Sequence, residues 1–427
     1  MTSDPLSLEE GLRLRAEIGK VFNPAAPVEQ QALFAGRIEQ IKALFDAISQ
    51  RGQHAIIYGE RGVGKTSLAN ILQQLLTTAG QRAVALRFNG EETATFSSVW
   101  RRMFADLQTT VQKRGAGFTA TDTIVSIANA LPDPMSPDDV RRVLTAFDAN
   151  TLPILIIDEF DRIPSDDVRR LFADTIKTLS DHSVSATVVI VGVGNTVDEL
   201  IKEHRSIDRA LVQIPMPRMA QEELREIVDK GMKRVSMTID DAAAEHITAL
   251  SQGLPYYTHL LALNSGLEAV EGGEKHVTMG YVAAAIKKSI ERTSHSIRND
   301  YDKAVQSPQK GNLYKQVLLA CALAKTTEMG FFTAAGVRDP LRQITKRDDI
   351  DIPNYTQHLN NFSSPERGGV LEKTGQKHLF RFRFRNPLMQ PFVAMRGYAE
   401  GVIGLDTLRA SGRVRAGDSS SESGRLL

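Results

Sequence analysis

The segment YGERGVGKTSL sets Gly59, Gly64, Lys65 and Thr66 at the spacing GxxxxGK[ST], between an apolar run that reads as a strand and a pattern that reads as a helix. In that setting the loop backbone at Gly59, Glu60, Arg61, Gly62, Val63, Gly64 and Ser67 converges with a helix N-terminus on phosphate. Gly62 and Gly64 allow an approach that a side chain would obstruct. Lys65 would set its ammonium on β and γ phosphates, and the Thr66 hydroxyl would enter the shell of a Mg²⁺ ion. A second group follows in LPILIIDEFDRI, where four apolar residues form a buried strand that ends in Asp158 and Glu159. Asp158 would hold the magnesium, directly or through water, and Glu159 would polarise an attacking water. The chemistry implied is magnesium-dependent hydrolysis of a nucleoside triphosphate.

Three weaker signals accompany these. VVIVGVGNTVDEL ends an apolar run at Asn195, which would orient the lytic water or touch the γ phosphate; Thr196 and Asp198 compete for that role, and a turn or helix cap is the alternative. EHRSIDRALVQIP offers Arg209, and second to it Arg205, as a guanidinium supplied to a neighbouring copy's γ phosphate, against an ordinary surface pair with Asp208 or Glu203. Asp161 and Arg162 are expected to cap the next helix or to form a surface pair, with contact to nucleotide or to a neighbouring subunit as the alternative.

The elements that must position these residues follow from apolar patterning. Strands are expected at 54–58, 83–88, 154–157, 187–193 and 211–214, separated by long crossovers, which a parallel sheet covered by helices on both faces requires. The expected partition is a polar lead-in over 1–33, an α/β domain over 34–218, a helical lid over 219–298, a winged-helix domain over 299–397 and a disordered tail over 398–427. The lid rests on Leu224, Ile227, Val228 and Met232, which recur on one helical stripe. Residues 310–397 read as helices followed by a strand-turn-strand, VLEKTGQKHLFRFRF.

Composition narrows the options. With 42% apolar and 24% charged residues the chain is globular, so disorder is a local matter. Lys plus Arg number 52 against 51 for Asp plus Glu, which leaves no global field to draw the chain onto nucleic acid or membrane. The nine histidines are dispersed and the lone cysteine, Cys321, sits in an apolar run, so neither a zinc cluster nor an internal disulfide is expected. No secretion signal opens the chain and no run reaches about 18 apolar residues. A cytoplasmic protein without a membrane segment is expected.

With these motifs in place the chain resembles AAA+ P-loop ATPases of the group that includes origin-recognition initiators and the related STAND signalling ATPases. The FAGR box (Phe34 to Arg37), the HRSIDR segment and the Gly-x-Pro motif in SQGLPYYTHLL support the likeness. The resemblance implies ATP and ADP as ligands with Mg²⁺, Phe34 and Arg37 near the adenine, Pro255 in a lid that closes on the nucleotide, and homo-oligomers formed through the ATP interface. Many AAA+ proteins present an arginine from the lid helix, whereas this chain offers Tyr256, Tyr257, Thr258 and His259. Lid sensing is therefore expected to depend on packing, with His259 satisfying its own hydrogen bonds ahead of a phosphate contact.

In HLFRFRFRNP, Phe380, Phe382 and Phe384 alternate with Arg381, Arg383 and Arg385, so one face of a strand enters a core and the other projects guanidiniums. With Lys373 and Lys377 these would neutralise phosphates of duplex DNA, with the 354–361 helix in the major groove. The same basic surface can equally pair with acidic residues of the chain's own ATPase domain or of a protein partner. The expectation is thus an oligomerising, DNA-associated ATPase switch, or a STAND-like signalling or antiviral-defence ATPase whose C-terminal domain binds a protein. A polymer-threading motor is disfavoured, because Phe96 and Trp100 read as core residues rather than as a pore loop.

Overall fold

The computed structural model describes residues 6–27, 34–78, 80, 82–105, 107–114, 120–147, 151–194, 197–201, 207–309, 311–327, 329–376 and 379–410. Helices α1 (Leu8–Val21) and α2 (Ile38–Ser49) lead to β1 (His54–Gly59), α3 (Lys65–Thr78), β2 (Ala83–Asn89) and α4 (Phe96–Ala105). A hairpin of β3 (Gln108–Arg114) and β4 (Ala120–Ser126) comes next, then α5 (Pro137–Thr145), β5 (Leu152–Asp158), α6 (Asp166–Asp181), β6 (Thr187–Val193), α7 (Val197–Leu200) and β7 (Leu211–Pro215).

Five of these strands pair in the order β2-β5-β6-β1-β7, and every pairing is parallel. Because side chains alternate across a strand, Ala55, Ile57, Ile154, Ile156, Val189 and Val191 enter one core with α2 and α3. Ile56, Leu155, Ile157, Val188 and Ile190 enter the other with α4 and α6. Burial on both faces is why these strands read as unbroken apolar runs. Phe96 and Trp100 lie in the second core, where Trp100 packs on Phe104 and Phe172.

A helical layer follows: α8 (Gln221–Arg234), β8 (Thr238–Ile239), α9 (Asp241–Leu250), α10 (Pro255–Glu271), β9 (His276–Val277), α11 (Met279–Arg292) and α12 (His295–Val305). The polar lead-in expected before residue 34 is not featureless. Its α1 starts at a Ser7–Glu10 capping box and packs on α10, with Phe22 over Gly231 and Ile18 against Gly266. Leu14, Ile18 and Phe22 form a one-residue-wide stripe while Leu8 and Leu12 face outward. A stripe that narrow, diluted by Gly11 and Gly19, left little periodic signal.

The last elements are α13 (Tyr314–Leu323), β10 (Phe332–Thr333), α14 (Ala334–Thr345), α15 (Pro353–Phe362), β11 (Leu371–Thr374), β12 (Arg381–Phe384), α16 (Met389–Ala399) and α17 (Leu405–Ala410). The strands form an antiparallel sheet in the order β10-β12-β11, with Phe332, Phe382 and Phe384 clustered inside it. Helices followed by this small sheet agree with the expected order of lid and winged helix. The expected tail is structured as far as Ala410: Ile403 is buried just before α17 and Leu408 within it, and Arg409 pairs with Glu245 of α9. Polar composition hid the two apolar anchors that order this segment.

Candidate nucleotide-binding site

The sheet order sets the carboxyl ends of β5, β6 and β1 side by side, and an open parallel sheet offers its ligand crevice there. A Cβ at Gly59 would lie 2.5 Å from the Met216 carbonyl oxygen, so the β1 end accepts only glycine against the chain leaving β7. Gly62 and Gly64 have φ of +86° and +95°, values that a side chain disfavours. The turn they make delivers Lys65 as the first residue of α3. The Lys65 ammonium is folded onto its own loop, donating to the carbonyls of Gly59 at 3.0 Å and Glu60 at 2.8 Å. Burial lowers its pKa to about 8, against the pull of Asp161, Asp158 and Glu60.

Asp158 is the last residue of β5 and is buried; its carboxylate accepts the backbone N–H of Glu159 at 2.8 Å. Glu159 has a left-handed backbone with φ of +50°. Gly90 packs on that bend, donating its N–H to the Asp158 carbonyl at 2.7 Å, and a Cβ on Gly90 would collide with the Glu159 carbonyl oxygen. The half-exposed Glu159 carboxylate pairs with Arg162 at 2.9 Å. Arg162 thus forms the expected surface pair. Asp161 caps no helix, because its carboxylate accepts the N–H of Val193 at 2.8 Å and so joins the β5 loop to the end of β6.

A cavity of about 540 Å³, within the range of small-ligand sites, is lined by Arg61 to Ser67, Asp158, Glu159, Phe34, Arg37 and Pro255, among others. Thr66 and Asp158 therefore share one wall, and space at Gly64 is open where a phosphate would approach. These are the donors that a triphosphate and an oxygen-loving cation require. Among the described residues no group of three or more His, Cys, Asp or Glu could hold a metal by itself.

Five lining residues, Asn23 to Pro27, carried no signal for the site in the sequence. They form a rim of the cavity, brought there by α1. Arg37, at φ of +59°, donates to the carbonyls of Val63 at 3.0 Å and Pro217 at 2.5 Å. Its N–H bonds Glu223 of α8 at 2.8 Å, so the FAGR box ties the loop to the lid. Burial lowers the Arg37 pKa to about 10. His259 also lines the cavity, and its Nδ1 is buried without a partner, contrary to the expectation that it satisfies its own hydrogen bonds.

Gly59 and Glu60 do not line the cavity. Glu60 turns the other way into a buried pair with Arg218, at 2.6 Å, and Arg218 donates to Gln390 of α16, also at 2.6 Å. Gln390 in turn donates to the Ala322 carbonyl of α13 at 2.9 Å, and the Tyr257 hydroxyl donates to the Leu388 carbonyl at 2.6 Å. The phosphate loop is therefore bonded to the C-terminal helices through side chains 158 and 172 residues apart in sequence.

Asn195, Arg205 and Lys377 lie outside the described residues. Arg209 is exposed just before β7, and the register His54 to Leu211 sets it at the edge of the sheet opposite the cavity. In the hairpin, Arg381 and Arg385 are exposed, whereas Arg383 pairs with Glu372 at 2.6 Å. Lys373 donates to Asn360 of α15 at 2.9 Å. The basic surface is thus smaller than the alternation of Phe and Arg implies.

A family model described as Novel STAND NTPase 1 matches residues 25–320. No curated protein matches the chain. Among solved structures, the ORC2 protein of Aeropyrum pernix is similar over 92% of this chain and 98% of that one, at 13% identity and a TM-score of 0.49. CDC6p from Pyrobaculum aerophilum is similar over 90% and 98%, at 14% identity and a TM-score of 0.45. The RuvB Holliday junction branch migration motor of Thermotoga maritima is similar over 82% and 93%, at 15% identity and a TM-score of 0.42.

Proposed function

Since this chain belongs to the Novel STAND NTPase 1 family, we propose that it is an ATP-binding switch. It converts ATP and water to ADP and phosphate, and signals its nucleotide state through its C-terminal winged helix. The observation that carries this reading is a cavity whose wall combines Lys65, Thr66, Asp158, Glu159, Arg37 and Pro255.

Lys65, released from its loop carbonyls, pairs with the β and γ phosphates. The Thr66 hydroxyl and Asp158 would hold Mg²⁺, which would supply charge neutralisation on the phosphate oxygens. Glu159 leaves Arg162 to orient the attacking water and accept its proton, and Asn195 steadies that water or the γ phosphate. Arg209, or Arg205, serves the γ phosphate of a neighbouring copy, so hydrolysis accompanies homo-oligomer formation. Resting turnover is slow, because Glu159 is paired and the neighbour's guanidinium must be supplied.

A cytoplasmic protein partner is the preferred recipient of the signal, since Arg383 and Lys373 are already engaged within the chain. Duplex DNA is the second reading, and exposed Arg381 and Arg385 favour it. Among the described residues no helix is long and apolar enough to cross a membrane.

Steady-state hydrolysis with and without duplex DNA at low salt tests both readings, with Lys65→Ala and Glu159→Gln as controls. ATP binding that Lys65→Ala abolishes, with turnover lost in Glu159→Gln, is expected. Failure of wild-type protein to bind ATP would overturn the switch. Stimulation by duplex that fades with salt would promote the DNA reading over the protein partner.

A further inference from the structure

A second cavity, of about 340 Å³, lies at the other end of the sheet, where β5 and β6 begin. Strand β6 runs from Thr187 in this cavity to Val193 in the nucleotide cavity. At about 3.3 Å per residue that strand sets the two about 20 Å apart. Alternation along β5 and β6 turns Leu152 and Thr187 to the face that carries Ile154, Ile156, Val189 and Val191, on which α2 and α3 pack. The end of α2, with Ser49 and Arg51, the turn after α3, with Arg82, and Ser185 before β6 complete the wall.

Arg51 and Arg82 are exposed, and among the described residues neither guanidinium has a hydrogen-bond or ion-pair partner. No described lining residue is Asp or Glu. The C-terminal ends of α2 and α3 lie beside the cavity, at Ser49 and near Gly80. Each helix end carries about half a negative charge, against two full positive charges on the arginines, which leaves an excess of about one positive charge. The helix ends alone therefore do not account for both arginines. Thr187 adds a buried donor: it is 2% exposed and lines the cavity. Its hydroxyl has no hydrogen-bond partner among the described residues, yet it is not one of the sealed interior atoms, so it faces the cavity. A buried hydroxyl left unpaired is costly, and one that opens onto a polar cavity is commonly met by water or ligand. Ser185 brings a second hydroxyl to the same wall.

We propose that this cavity binds a phosphate group, presented by inorganic phosphate or by a small phosphate ester, through the Arg51 and Arg82 guanidiniums and the hydroxyls of Ser185 and Thr187. Planar guanidiniums match phosphate oxygens with paired hydrogen bonds, and the hydroxyls donate to the oxygens that remain. The volume is at the lower end of the range for small-molecule sites, and a concavity bounded by four chain segments suits such a ligand better than a duplex or a folded partner. The site is separate from the proposed ATP site and stands whether or not that site binds ATP.

Equilibrium dialysis of radiolabelled inorganic phosphate against the full chain carrying Lys65→Ala, which removes the phosphate-loop ammonium, tests the proposal. Saturable binding of one phosphate per chain is expected. Arg51→Gln and Arg82→Gln, introduced singly at exposed positions that the fold does not depend on, should each weaken it about tenfold or more, as loss of a charged hydrogen bond does. Thr187→Val, which keeps the shape and removes the hydroxyl, should weaken it by about threefold to tenfold. Arg234→Gln, at an exposed arginine of α8, should change nothing. Absence of saturable binding, an affinity unchanged in both cavity arginine variants, an equal loss in Arg234→Gln, or competition by acetate as effective as by unlabelled phosphate would each overturn the proposal. Glucose 6-phosphate separates the two sources: displacing the label at lower concentration than unlabelled phosphate assigns an ester, and the converse assigns free phosphate. Wild-type protein that fails to bind ATP, while phosphate binding still depends on Arg51 and Arg82, would refute the ATP site and leave this one standing.

Discussion

Lys65 shows how one side chain can set the conditions for binding. Its pKa of about 8 in the free protein comes chiefly from burial, and neighbouring phosphates favour the ammonium, so binding raises that pKa. ATP affinity should therefore be full below pH 8 and fall as pH rises beyond it, by up to about tenfold per unit. Titration calorimetry at pH 7 and pH 9 checks this, and an affinity equal at the two values would contradict it. Gly90 offers a second test, because its N–H bonds the Asp158 carbonyl at 2.7 Å and any Cβ would strike Glu159. Gly90→Ala should cost about 1–3 kcal/mol of stability, as overpacking does, and should lower turnover more than ATP affinity. Thermal unfolding and single-turnover hydrolysis measure the two effects. The meeting of Lys65, Thr66, Asp158 and Glu159 at one cavity was legible because each pair sits in a contiguous motif. Gly90 was not, since its requirement arises only when β2 and β5 lie side by side.

At the scale of elements, the sheet was legible because two-sided burial turns each strand into an apolar run. The lid and the C-terminal hairpin followed from periods of 3.6 and 2. Helix α1 and helix α17 were not, as each depends on two or three apolar anchors amid polar residues. The contacts between elements were the least legible, and the Glu60–Arg218–Gln390 network is the clearest case. Both charged side chains are almost fully buried, and nothing local pairs residues so far apart. Removing one partner of a buried pair leaves an uncompensated charge, so Arg218→Met should cost about 3–5 kcal/mol. Glu60→Met with Arg218→Met should recover much of that loss, because the charge penalty disappears with the pair. Urea unfolding of the two single variants and the double variant gives the coupling, and simple additivity would show that the network does not act as a unit.

For the whole molecule, the relevant geometry is the separation between Arg209 and its own cavity. Strands β1 and β7 are parallel, the cavity opens beyond Gly59, and Arg209 precedes the opposite end of β7. If Arg209 takes the proposed role, the phosphate it meets belongs to another copy, and the complete hydrolytic site would be a property of two chains. Arg209→Ala keeps ATP binding in its own cavity and lacks the supplied guanidinium; Lys65→Ala loses ATP binding and keeps the guanidinium. Each alone should be nearly inactive, given the large effect of such arginines on phosphoryl transfer. In an equimolar mixture, a random interface has one chance in two of an intact cavity and one in two of an intact arginine. Activity should return to about a quarter of wild type in a dimer or in a ring, because heterologous and isologous interfaces share that arithmetic. The same mixture with Arg205→Ala in place of Arg209→Ala decides between the two arginines. Recovery in neither mixture, with a specific activity independent of protein concentration, would mean that hydrolysis is completed within one chain.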